Sequence, residues 1–177
     1  MRKVRMLVLG CGRQGERHLR ALKDLENVEV MVCEMRKERA GELRRNYGLK
    51  CFLDYEEALR ELSKFEGPVA VDVCTPTVSH YEHVMKALEA GAHVFCEKPL
   101  VAQSGQAEEV ARIARERGLL VAVGYLYRFH TAMRLLKTTL ESGQIGEPYM
   151  AIFRIGGRGG HARWSHSFEE YGGAILE

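Results

Sequence analysis

Three clusters in the sequence combine residue types able to do chemistry. The first is Gly10-Cys11-Gly12-Arg13-Gln14-Gly15, which closes an apolar run and opens an amphipathic one. Placed between a strand and a helix, this GxGxxG spacing suits a diphosphate. The first glycine permits a tight turn, the second lets the phosphates approach the backbone, and the third lets helix and strand pack closely. The helix mouth adds free N–H groups and about half a positive charge. All six residues of the turn are therefore candidates for binding a dinucleotide. The second cluster is Glu34, which ends the next apolar run about twenty residues further on, where a ribose-binding carboxylate is expected. A carboxylate there accepts from both ribose hydroxyls but repels a 2′-phosphate, at a cost on the order of 4 kcal/mol for unit charges near 4 Å at an effective dielectric of 20. Arg36 could swing in and offset that repulsion, so NAD is the expected cofactor and NADP is admitted. The third cluster is Glu97-Lys98-Pro99 at the end of another apolar run. Ligands of parallel sheets lie beyond the carboxyl ends of strands, and a buried or cation-flanked lysine can drop from about 10.4 toward 7–8 and move protons near neutrality. Taken alone, Lys98 reads as a solvated strand-end charge.

The elements that must position these residues are legible from periodicity. Val4–Gly10, Val28–Glu34, Val69–Thr75, His93–Glu97 and Leu119–Gly124 are mostly apolar and β-branched, as strands buried on both faces are. Lys50–Leu53 is a weaker candidate for a short edge strand. Gln14–Leu25, Lys37–Tyr47, Tyr55–Lys64, His80–Ala90 and Ser104–Arg117 carry apolar residues at helical spacing, with Val84, Ala87 and Leu88 facing the sheet in the fourth. Gly91 and Gly118 fall just past two of these helices, where a left-handed residue is needed. Such alternation predicts right-handed βαβ crossovers and a doubly wound parallel α/β sheet. The expected division is a Rossmann domain over residues 1–123 and the first elements of an α+β domain over 124–177. In the second, Thr131–Glu141 reads as a helix and Tyr149–Ile155 as a strand, followed by the glycine-rich Gly156–Gly160.

Other function classes are disfavoured. Basic and acidic residues nearly balance, 26 against 24 with a net charge of +2, and no basic block or aromatic stripe suggests a nucleic-acid face. The apolar run Met6 to Leu9 is too short for a signal region or a membrane span, so a soluble cytoplasmic protein is expected. The five cysteines, Cys11, Cys33, Cys51, Cys74 and Cys96, never form CxxC and read as packing residues in a reducing compartment. His80 and His83 share a helix face without a ligand set beside them, so no metal is expected, and His18 reads as a packing or capping residue. His161, Trp164 and His166 read as a solvated loop that could touch a sugar.

Several motifs occur in a fixed order: the GxGxxG turn, Cys74-Thr75-Pro76-Thr77-x-x-His80, Ala87-Leu88-Glu89-Ala90-Gly91-x-His93-Val94 and Glu97-Lys98-Pro99. Tyr127-Arg128-Phe129-His130 and Ser142-Gly143-x-Ile145-Gly146-Glu147-Pro148 follow. Together they resemble the Gfo/Idh/MocA oxidoreductases across nearly the whole chain. The resemblance implies an NAD(P)-dependent enzyme that transfers a hydride between nicotinamide and a secondary hydroxyl of a sugar, cyclitol or sugar derivative. It also implies that Lys98 sits beside the reacting hydroxyl, in proton transfer or substrate orientation. Glu97, the loop Cys74, Thr75, Pro76 and Thr77, and His80 would belong to the cofactor side. Arg128 would lie near cofactor or pocket, a structural ion pair being an equal alternative. Residues 172–177 resemble the lead into a helix that carries an acidic residue, at or near Glu177, and then a histidine beyond the last residue here. A completed second domain would supply the pocket wall and a homo-oligomer interface. The second reading is a non-catalytic dinucleotide-binding module, or a fragment that needs a second chain.

Overall fold

The structure, a computed structural model, describes residues 2–152. The strands are β1 (Val4–Leu9), β2 (Val28–Cys33), β3 (Cys51–Phe52), β4 (Val69–Val73), β5 (His93–Cys96) and β6 (Val121–Val123). They form one parallel sheet in the order β3-β2-β1-β4-β5-β6. The helices between them are α1 (Arg13–Lys23), α2 (Lys37–Tyr47), α3 (Tyr55–Leu62), α4 (His80–Glu89) and α5 (Ser104–Glu116), and α6 (Thr131–Glu141) follows β6. This is the doubly wound Rossmann arrangement, and the order reverses direction between β1 and β4.

Alternation along the strands explains the two-sided core. Leu7, Leu9, Met31, Cys33, Val71 and Val73 face one way and pack with residues of α3, α4 and α5, among them Leu62, Leu88 and Val110. Val8 and Val32 face the other way and pack with Leu19 of α1 and Ala40 and Leu43 of α2. Because both faces are covered, nearly every strand position is apolar. Burying a leucine such as Leu19 completely contributes about 2 kcal/mol. The buried exception is Asp72, inside β4 and only 2% exposed, on the face opposite Val71 and Val73. Gly91 and Gly118 take positive φ, +78° and +65°, just past α4 and α5, as their spacing predicts.

The weak edge strand is reduced to Cys51–Phe52. Tyr149–Ile152 forms no strand, because a strand exists as one member of a ladder and no described segment pairs with these residues. The rest of that expected strand, Gly156–Gly160, His161, Trp164, His166 and residues 172–177 lie outside the described residues. Among the described residues no helix is long and apolar enough to cross a membrane.

Candidate functional site

The register of the sheet decides what meets at its carboxyl edge. Leu9 pairs with Cys33 and Val73, and Val73 pairs with Cys96, so the residues that follow stand side by side. These are Gly10, Glu34, Cys74 and Glu97. The ladder carries on through them: Gly10 N–H donates to Cys33 O (2.9 Å), Cys74 N–H to Leu9 O (2.8 Å), and Glu97 N–H to Val73 O (2.9 Å). Four loops distant in sequence thus leave the sheet at one level, on both sides of the β1/β4 reversal.

The glycines of the first loop do three different things. Gly10 has φ +83°, and a Cβ there would meet Cys74 O at 3.0 Å. A Cβ on Gly15 would lie 2.0 Å from Gly10 O, so only glycine lets α1 start this close to β1. A Cβ on Gly12 would meet nothing within 4 Å. The protein itself gives no steric reason for glycine at position 12, and this face of the turn stands open. Gly12 is also the N-cap of α1 and offers no side-chain cap, and the first helical bond among the described residues is Glu16 N–H to Gly12 O (3.0 Å). The amides of Arg13, Gln14 and Gly15 precede that bond, with the positive end of the helix dipole behind them. An open cradle of unbonded amides fits a diphosphate. Arg13 is exposed and Gln14 half-buried, its Oε1 accepting from Arg17 (3.1 Å). Arg39, which the sequence reading passed over, supports the turn from α2: its Nε donates to Cys11 O (3.0 Å) and its Nη2 pairs with Glu16.

Glu34 is 5% exposed and lies against this turn. Its Oε2 accepts from Cys11 N–H (3.1 Å) and Arg36 Nη2 (3.0 Å), and its Oε1 from Arg36 N–H (3.0 Å) and Nε (2.9 Å). Burial pushes the carboxyl up, but the Arg36 guanidinium and the amides of Arg36 and Cys11 outweigh it and leave Glu34 below its ordinary value. The Arg36 side chain is 65% exposed, whereas the Glu34 side chain is 6% exposed. Burial likewise pushes the Cys11 thiol up to about 12, so it is a packing group in the turn.

Beyond β4, Cys74, Thr75 and Pro76 lead into a 3-10 turn at Thr77–Ser79. The buried ring of His80 stands behind that loop, its Nε2 2.8 Å from Thr75 O and its Nδ1 2.8 Å from Pro99 O. It therefore serves the site through two backbone carbonyls. Thr75 Oγ1 meets His83 Nδ1 at 3.0 Å, and burial lowers the His83 imidazole below its ordinary value. Thr77 is buried, and its Oγ1 has no hydrogen-bond partner among the described residues.

The fourth loop begins at Glu97, 7% exposed, followed by half-buried Lys98 and a cis Lys98–Pro99 peptide. Glu97 Oε2 accepts the Lys98 N–H (3.2 Å). Gly124, next in the ladder through its N–H to Cys96 O (2.8 Å), passes so near that a Cβ on it would lie 3.4 Å from Glu97 Oε1. Arg128 sits four residues on, in an exposed 3-10 turn at Leu126–Phe129.

The sequence reading missed the group beneath these loops. His18, read as packing or capping, reaches from α1 under the sheet edge. Its Nδ1 is 3.0 Å from Asp72 Oδ2, and its Nε2 is 3.0 Å from Glu97 Oε1. The latter is an ion-pair separation rather than an aligned hydrogen bond, and Oε1 is otherwise buried without a hydrogen-bond partner among the described residues. The hydrogen bond that Asp72 accepts, and then the close contact with the Glu97 carboxylate, outweigh burial and hold the imidazole up to about 9. For Glu97 burial is the largest influence and raises the carboxyl, but the bond and charge of His18 and the amide and charge of Lys98 bring it below its ordinary value. Cys74 Sγ lies 3.3 Å from His18 Nδ1, and the donor atoms of His18, Asp72 and Cys74 fall within 4.8 Å of one another. The available signal was Asp72 itself, a carboxylate inside a strand that must be buried on both faces.

Fold and edge geometry together define a Rossmann domain built to hold a dinucleotide across a β1/β4 reversal. The chain belongs to the Gfo/Idh/MocA oxidoreductases: the profile of that oxidoreductase family, with its NAD-binding Rossmann fold, matches residues 4–125. It is 33% identical over 165 residues to D-glucoside 3-dehydrogenase of Escherichia coli, covering 91% of this chain and 46% of that protein. It is 32% identical over 148 residues to the scyllo-inositol 2-dehydrogenase (NAD(+)) of Bacillus subtilis, covering 82% and 42%. The crystal structure of KijD10, a 3-ketoreductase from Actinomadura kijaniata in complex with NADP and TDP-benzene, superposes with a TM-score of 0.72 at 34% identity, covering 82% and 44%. The chain spans about half the length of the curated relatives it matches.

Proposed function

We propose that the protein is an NAD(P)-dependent oxidoreductase that moves a hydride between nicotinamide and the carbon bearing a secondary hydroxyl of a sugar, cyclitol or sugar derivative. The observation that carries this reading is the alignment of the GxGxxG turn, Glu34 and Glu97-Lys98 along one carboxyl edge of the sheet. The two curated relatives act on a glucoside and an inositol, and the ketoreductase was crystallised with NADP, which supports both the substrate class and the cofactor.

When bound, the nicotinamide supplies the hydride chemistry; the chain supplies orientation and charge. The open face of Gly12 and the first amides of α1 hold the diphosphate, with Cys11, Arg13 and Gln14 around it. Glu34 accepts from the adenosine ribose once the exposed Arg36 side chain moves aside. Arg36 also offers the cation that would tolerate a 2′-phosphate, so NAD is favoured and NADP admitted. Thr75, Pro76, Thr77 and Glu97 flank the path toward the redox ring, His80 fixes the loop they stand on, and Arg128 borders the pocket. Lys98 Nζ holds or moves the hydroxyl proton of the substrate.

The reading extends to organisation. Residues 1–123 form the dinucleotide domain, and residues 124–177 begin an α+β substrate domain whose sheet supports a homo-oligomer. The exposed Leu126, Tyr127, Phe129 and Leu135 support that division, since apolar surface of this kind is covered by further structure. Five unpaired cysteines support a cytoplasmic setting. Fluorescence titration with NADH and NADPH, followed by turnover on a panel of sugars and cyclitols, tests the proposal. Absence of affinity for either dinucleotide in folded protein would end it.

A further inference from the structure

The buried group under the site has a connectivity that packing does not require. His18 projects from α1, the helix whose amino end forms the glycine cradle, and each ring nitrogen faces a carboxylate from a different strand. Nδ1 meets Asp72 of β4 at 3.0 and 3.2 Å, and Nε2 meets Glu97, which follows β5, at 3.0 Å. The side chains of His18, Asp72 and Glu97 are 16%, 3% and 10% exposed. The other groups facing the ring are the Cys74 thiol, 3.3 Å from Nδ1, and the Phe95 ring of β5, edge-on at 5.6 Å. A neutral imidazole has one N–H and one lone pair, so one of its two carboxylate neighbours would confront a lone pair. A neutral ring would also leave the shielded Asp72 with only the Cys74 thiol beside it among the contacts of the described residues, and Glu97 with only the amide and charge of Lys98. The arrangement is satisfied when both ring nitrogens carry hydrogen.

That cation sits at a mechanical junction. On one side is α1, with Gly12 at its mouth. On the other, Glu97 uses its second oxygen to accept the N–H of Lys98 at 3.2 Å. We propose that His18 is a positioning residue: its imidazolium clamps Asp72 and Glu97 together and thereby fixes the Lys98 backbone relative to the phosphate-binding helix. The clamp rests on the reading of Lys98 as the proton-handling residue for its purpose, but its existence is a property of the ligand-free chain. It touches neither substrate nor cofactor and acts through Glu97.

Nuclear magnetic resonance of the full chain carrying ¹⁵N tests this without any ligand. At neutral pH both ring nitrogens of His18 are expected to show the shifts of protonated imidazolium; a neutral tautomer there would overturn the clamp. As pH is raised, the Lys98 amide resonance is expected to move with the same midpoint as the His18 ring, near 9. In His18→Gln that movement should vanish. A Lys98 amide that ignores the ring titration, or that moves equally in His18→Gln, refutes the coupling. Should His18→Gln not fold, the two wild-type titrations still decide. An NADH titration run in parallel separates the two readings: loss of dinucleotide binding in wild-type protein refutes the proposed function, while the ring and amide data judge the clamp alone.

Discussion

A Cβ built on Gly15 stands 2.0 Å from the carbonyl oxygen of Gly10, whereas one built on Gly12 meets nothing within 4 Å. Two glycines of one motif are therefore in opposite surroundings, the first closed in by backbone and the second open, as the proposed diphosphate site requires. Gly15→Ala should cost about 3 kcal/mol or more, since the obstruction is backbone that cannot rotate away. Gly12→Ala should change stability by about 1 kcal/mol or less, as for an unremarkable helix cap, yet weaken dinucleotide binding tenfold or more. Denaturant melts beside NADH fluorescence titrations check both. Equal losses of stability would show that position 12 serves packing instead.

Glu34 offers a test of cofactor choice. Its two oxygens already accept four hydrogen bonds, three of them from Arg36, whose side chain is largely exposed. Glu34→Ser removes the carboxylate that would repel a 2′-phosphate and leaves Arg36 to attract one. Affinity for NADH relative to NADPH should fall by about tenfold, equivalent to ~1.4 kcal/mol. An unchanged ratio would deny Glu34 the ribose role.

Lys98 is half-buried and follows a carboxylate that accepts its amide. If it handles the hydroxyl proton, Lys98→Ala should lower turnover by about 10²–10⁴-fold, the usual contribution of a positioned proton-transfer group. Cofactor affinity should change only a few-fold, because the diphosphate cradle and Glu34 lie on other loops. Steady-state rates on the responsive polyol, set against cofactor titrations, separate the two. Intact turnover would remove Lys98 from the chemistry.

What could be read in advance follows from which interactions are local. The helices were legible because apolar residues recur at their own spacing, and α2 and α6 begin and end where periodicity places them. The turn and Glu34 were legible because strand, turn and helix are consecutive. The strand expected from Tyr149 was not found over its described residues, since pairing is supplied by other chain segments and alternation alone does not make a ladder. His18 was illegible for a related reason. Its partners lie in β4 and after β5, and only the register that aligns Val73 with Cys96 brings Asp72 and Glu97 to one imidazole. Asp72 alone carries a local signal, because an acid inside a doubly covered strand needs a cation or hydrogen-bond donors beside it.

The same imidazole gives the protein a specific alkaline weakness. Its pKa is raised from 6.5 to about 9 in the fold by the bonds and charges of Asp72 and Glu97, against burial. A group with a raised folded value contributes in full below the unfolded value, and the contribution falls as pH rises until it is gone above the folded one. Between about 6.5 and 9 the unfolded chain has released this proton while the native chain keeps it, so stability should decline by an amount on the order of 3 kcal/mol. All five thiols are pushed up from 9.0 by burial, so they begin to add their own loss as pH nears 9.0, where unfolded thiols ionise; that loss is common to wild type and His18→Gln, and the comparison below about 8 is nearly free of it. Urea unfolding at a series of pH values should therefore show wild-type stability falling across the window while His18→Gln stays nearly level. If the variant follows the wild-type slope, the alkaline loss belongs to another group and the imidazolium bridge is not what joins α1 to the ends of β4 and β5.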